Sequence, residues 1–198
     1  MAGETPRSAP KGRGLAGHEP GGPAANGRGP SGGDSGGPAL VIGFGNPLRG
    51  DDGVGFAAAG LLAGLLRTDP HDGPPVEALA CQQLTFDLAE AISRADLVVF
   101  IDADRSVPAG EFSEHEAGED PAPPPVSHHL TPPALMAVTR AVYGSAPRGI
   151  VLSVGAVAFD SPRLSPAVGA VLPRVVEVAR AIAEARGTRG PGGTEGPR

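Results

Sequence analysis

The sequence is poor in the residues that build disulfide scaffolds, stacking platforms and membrane spans. Cys81 is the only cysteine in 198 residues, so no internal disulfide and no thiolate metal cage can form. Trp is absent and Tyr occurs once, which removes the aromatic surface on which unpaired bases stack. Positive charge is in deficit: 16 Lys and Arg face 22 Asp and Glu, for a net charge of −6. That balance argues against nucleic acid or an anionic membrane as partner. No run reaches the roughly 20 apolar residues of a membrane span, and the N-terminus lacks the apolar stretch of a signal peptide. A soluble, cytoplasmic protein is expected.

Gly and Pro are abundant instead, 31 and 23 residues, yet 40% of the chain is hydrophobic. The two compositions are segregated. Residues 1–38 contain one Leu and no Val, Ile or aromatic side chain, and residues 187–198 read the same way. Neither stretch offers enough apolar surface to offset the entropy of ordering it, so both are expected to be disordered tails. Residues 39–186 are the size of one ordinary domain with one core.

Within that domain, apolar runs alternate with helical periodicity. Strands are expected at Ala39–Gly45, Val76–Cys81, Leu97–Asp102 and Gly149–Ala156, with a further edge strand at Gly110–Glu116. Helices are expected at Gly53–Leu66, Thr85–Arg94 capped by Thr85, Thr131–Val142 with Pro132 and Pro133 in its first turn, and Ser165–Ala185 with Ser165 as N-cap. Glu119–Val126 reads as a proline-rich surface loop. The alternation predicts an α/β fold: a three-layer α/β/α sandwich whose five-stranded, largely parallel sheet is flanked by helices.

In such sheets ligands bind beyond the carboxyl ends of the strands. The first strand runs into Gly43-Phe44-Gly45-Asn46-Pro47-Leu48-Arg49-Gly50-Asp51-Asp52-Gly53-Val54-Gly55. A dinucleotide fingerprint would need glycine where Leu48 stands, and a P-loop would need Lys-Ser where Asp51 and Asp52 stand. Two carboxylates repel a triphosphate, so the loop suits a cation better. Asp51 and Asp52 also suit a helix start, where acidic groups complement the dipole, and Asp51 is the more structural of the two. Asp102 closes the third apolar strand and would face the same crevice if strands one and three are neighbours. Ser127-His128-His129 precedes a helix on the same expected face. Two carboxylates and one imidazole form an O,O,N set suited to Ni, Zn or Mn. His18, His71 and His115 read as ordinary surface or core residues, and Cys81 as a small core residue.

The Gly43-x-Gly-Asn-Pro-Leu-x-x-Asp-Asp-Gly-x-Gly55 string, the strand ending in Asp102, and Ser127-x-His129 before a helix together resemble the hydrogenase maturation proteases. The likeness runs from about Leu40 to Ala185. It implies a twisted, phosphorylase/hydrolase-like sheet and an endopeptidase that trims the C-terminal extension of a [NiFe] hydrogenase large-subunit precursor after nickel insertion. Family classification makes it an aspartic-type, metal-assisted peptidase; the sequence leaves the oligomeric state open, with a monomer favoured. By the same resemblance the catalytic and nickel-contacting residues fall on Asp52, Asp102 and His129, with nickel supplied by the substrate. Gly43, Gly45, Asn46, Asp51, Gly53 and Gly55 fall to the loop that shapes the site. A non-catalytic, nickel-dependent binding module for the same precursor is the alternative, and a nucleotide-binding protein the third reading. No H-E-x-x-H helix is present, and the two G-x-S-x-G strings, Gly29–Gly33 and Gly33–Gly37, lie in the Gly/Pro-rich tail with no expected strand before them to form an elbow.

Overall fold

The computed structural model describes residues 36–70, 72–118 and 130–185. Almost all of the two tails, the Glu119–Val126 loop, His18, His71 and the Ser127-His128-His129 segment lie outside them. Strands β1 (Ala39–Phe44), β2 (Val76–Cys81), β3 (Leu97–Asp104), β4 (Phe112–Glu116) and β5 (Arg148–Gly155) form one sheet in the order β2-β1-β3-β5-β4. All neighbours run parallel except β4, which lies antiparallel on β5 at the edge.

Helices α1 (Val54–Thr68), α2 (Leu88–Arg94), α3 (Pro132–Tyr143) and α4 (Pro166–Ala185) cover the two faces. Strand alternation sorts the core between them. Val41, Leu97, Val99, Ile101, Leu152 and Val154 point to α1 and α4, where they meet Val54, Leu62, Val168 and Val176. Ile42, Val98, Phe100 and Val151 point the other way, onto Leu88 and Ile92 of α2 and Leu135 and Met136 of α3. β1 and β3 are buried on both faces, which is why they read as unbroken apolar runs. The edge strand β4 exposes Glu114, His115 and Glu116, charges that discourage pairing with another chain.

Several boundaries differ from expectation, each for a local reason. β3 continues to Asp104, because Asp102, Ala103 and Asp104 stay in register with Ser153, Val154 and Gly155 of β5. Asp102 therefore lies within the strand, two residues before its end. α2 begins at Leu88 rather than Thr85, after a turn in which the Leu88 N–H donates to the Thr85 carbonyl. Thr85 caps no helix with its side chain. Thr131 does cap α3: its hydroxyl accepts from the Ala134 N–H at 3.3 Å, with the two prolines in the first turn. Ser165 likewise accepts from the Val168 N–H at 3.4 Å. At the other end of the domain, the Asp96 N–H donates to the Pro38 carbonyl at 3.0 Å.

Candidate active site

From β1 the chain crosses to β2 on one side, and from β3 it crosses to β5 on the other, so the carboxyl ends of β1 and β3 flank the topological switch point. A crevice of about 380 Å³ opens there. Its walls include Asn46, Arg49 and Asp52 from the loop after β1, Gln82 and Gln83 from the loop after β2, and Asp102 from β3.

The loop after β1 is folded back by its own polar groups. The Asn46 side-chain oxygen accepts from the Leu48 N–H at 2.9 Å, and the Asn46 N–H donates to Asp52 Oδ2 at 3.0 Å. Gly45 sits at φ 127°, where a Cβ would collide with the Asp52 carbonyl oxygen. Glycine there lets the backbone carrying Asp52 lie directly against the end of β1. A short 3-10 turn, Gly50–Gly53, leads into α1, whose Gly55 packs with no room for a Cβ against Phe44 and Ile101. These glycines bring the start of α1 down onto the sheet, beside the crevice.

Asp51 and Asp52 take opposite roles. Asp51 is fully buried and accepts from the backbone N–H groups of Val157 (3.0 Å), Ala158 (2.9 Å) and Ser165 (2.6 Å). Burial works to raise its carboxyl, but these three donors outweigh it and hold the group below the ordinary carboxylate range. Asp51 thereby ties the first loop to the segment between β5 and α4. Asp52 lines the crevice, with only Oδ2 engaged among the described residues.

Asp102 points to the same crevice and accepts from the Ala103 N–H at 2.8 Å. Burial pushes its carboxyl up to about 7, opposed by the Ala103 bond and reinforced by the charges of Asp52 and Asp104. A carboxyl in that state exchanges a proton near neutral pH. Asp104, by contrast, is held low by the hydroxyl and N–H of Ser106.

The structure thus brings Asp52 and Asp102 together, while His129 lies outside the described residues. Its sequence neighbour Leu130 lines the crevice. Among the described residues no three His, Cys, Asp or Glu side chains cluster as a metal site. Two carboxylates alone hold a resident divalent ion poorly, but they can complete the coordination of an ion carried by another molecule. Cys81 is half-buried beside the α2–α3 core, its thiol pushed up by burial. Sequence reasoning missed Arg49, Gln82 and Gln83. The signal available was positional, since all three follow the carboxyl end of a strand, Arg49 after β1 and the two glutamines after its neighbour β2.

Fold and crevice together define a three-layer α/β protein with an acidic cleft at its switch point. Solved structures similar in fold include [NiFe] hydrogenase maturation proteases. HycI from Thermococcus kodakarensis KOD1 superposes with a TM-score of 0.59 at 23% identity, over 72% of this chain and 90% of that one. HybD from E. coli gives 0.58 at 20% identity, over 73% and 91%. HybD from T. kodakarensis gives 0.56 at 22%, over 74% and 99%. The fold expected from the motif resemblance is therefore the fold observed. No protein-family model matches the sequence, and no curated protein matches it either.

Proposed function

We propose that this protein is an endopeptidase that removes the C-terminal extension of a [NiFe] hydrogenase large-subunit precursor, recognising the nickel already inserted in that substrate. The pairing of Asp52 with Asp102 in one crevice, on the fold of proteins named for that activity, carries the reading. In this scheme Asp52 and Asp102 offer oxygen ligands to the precursor's nickel, and His129, next to Leu130 of the crevice wall, offers the imidazole. The ion fixes the register of the bound peptide and polarises the carbonyl to be cut. Water adds to that carbonyl carbon, the C–N bond breaks, and the departing amine takes up a proton. The oxygen ligands favour cation recognition over nucleotide binding, and no phosphate cradle competes with them.

The test is mass spectrometry of a nickel-loaded large-subunit precursor before and after incubation with the protein. Loss of a short C-terminal peptide is expected, and Asp102→Asn should abolish it while leaving the far-UV circular dichroism unchanged. Tight precursor binding with no change of mass would replace the protease with a non-catalytic nickel checkpoint. Normal processing by Asp102→Asn would remove Asp102 from the chemistry.

A further inference from the structure

Several of the cations elsewhere on the domain have internal partners. Arg94, Arg148, Arg174 and Arg180 each grip a carboxylate, and Arg105 stands over the Phe159 ring at 4.0 Å. Arg49 differs. It is the one cation lining the crevice among the described residues, and its guanidinium makes no hydrogen bond or ion pair there. The backbone at this position is fixed, since the Arg49 N–H donates to the Asn46 carbonyl at 3.0 Å and its carbonyl accepts from Asp52 at 3.3 Å. The main chain builds the turn, and the side chain is left exposed at the mouth. It does not close on Asp52 as an ion pair, although both line one crevice. Gln82 and Gln83 on the facing loop bring two further side chains with N–H donors and no side-chain partner among the described residues.

The crevice therefore has two chemistries. Asp52 and Asp102 form an acidic wall suited to a cation, while Arg49, Gln82 and Gln83 form a wall of N–H donors. A guanidinium presents five donors in a rigid fork and binds an anionic group more strongly than a neutral one. An anionic group of the substrate is repelled by the two carboxylates, and a cation beside them relieves that repulsion. We propose that Arg49 anchors a carboxylate group of the precursor next to the bond that is cut. The role rests on the proteolytic reading and adds to it a residue that sets substrate affinity without taking part in the proton transfer.

The experiment compares wild type, Arg49→Ala and Arg49→Lys on a purified large-subunit precursor, nickel-loaded and nickel-free. It measures initial rates against precursor concentration and binding by fluorescence anisotropy, each from 50 to 500 mM KCl, over which the Debye length falls about threefold. Arg49→Ala is expected to raise KM and Kd about tenfold with kcat near wild type, and to flatten the salt dependence. Arg49→Lys should recover only part of the affinity, keeping the charge but losing the fork. The rise in Kd is expected with both forms, because a carboxylate is present with or without nickel, and a rise confined to the nickel-loaded form would overturn the carboxylate as the anion. If wild type cuts the precursor and Arg49→Ala cuts it with the same KM and salt dependence, the Arg49 role is overturned and the protease reading stands. If wild type neither cuts nor binds it, both fall.

Discussion

Of the two adjacent carboxylates before α1, one is sealed in the protein and the other faces the crevice, and the difference lies in their donors. Asp51 receives three backbone N–H groups from the far side of the domain. Removing that acceptor in Asp51→Ala leaves three buried donors unpaired and is expected to cost about 3 kcal/mol, read by urea denaturation at pH 7. The linkage has a definite sign. The folded-state carboxyl lies below its unfolded value of about 3.9, so the contribution is complete above about pH 4 and is lost as pH falls through the folded pKa. The gap between wild type and Asp51→Ala should therefore narrow in acid. Asp52, with a single backbone donor, keeps an oxygen for a ligand.

At the scale of elements, the crevice depends on how closely α1 meets the sheet. A Cβ on Gly55 would meet the Ile101 carbonyl, the Phe44 carbonyl at 2.5 Å and the Phe44 nitrogen at 2.8 Å. Gly55→Ala must push the first turn of α1 off β1 and β3, at a cost of about 2–3 kcal/mol. Gly60, one and a half turns on, has open space around its Cβ position. Gly60→Ala should instead stabilise the helix by about 0.5–1 kcal/mol. The pair, measured by chemical denaturation, separates close approach from helix propensity. β3 shows a similar dependence on its neighbour: pairing with β5 carries it past Asp102 to Asp104, which holds the Asp102 carboxyl at the sheet end instead of in a loose loop.

At the scale of the molecule, the raised Asp102 carboxyl makes stability depend on pH in the sense opposite to Asp51. The folded state binds this proton more tightly than the unfolded chain, whose carboxyl titrates at about 3.9. The resulting advantage is full below about pH 4 and declines as pH rises toward 7, where the folded group ionises. Asp102→Asn carries no charge to bury. It is expected to melt level with wild type at pH 4 and on the order of 5 °C above it at pH 8, by differential scanning calorimetry. A group that costs stability at neutral pH while sitting in a cleft is the usual mark of a functional residue. Among the described residues no helix is long and apolar enough to cross a membrane.

The sequence by itself determined the class of the domain and the placing of its strands. Ala39–Phe44 and Leu97–Ile101 are apolar without interruption because both faces are covered, and Val76–Cys81 was legible to the residue. It also carried the Gly43–Gly55 string, since a tight loop leaves glycines at fixed spacing. What only the tertiary structure decided is which polar side chain does what. Asp51 and Asp52 look alike in sequence, and their roles diverge because donors more than 100 residues away reach one and miss the other. Arg49, Gln82 and Gln83 carry no motif at all. They become a wall of the site because the strand order sets β1 between β2 and β3 and so brings the loops after β1 and β2 to the same mouth as Asp102. Local pattern is set by short-range sterics and burial, whereas the pairing of distant loops is a property of the folded sheet alone.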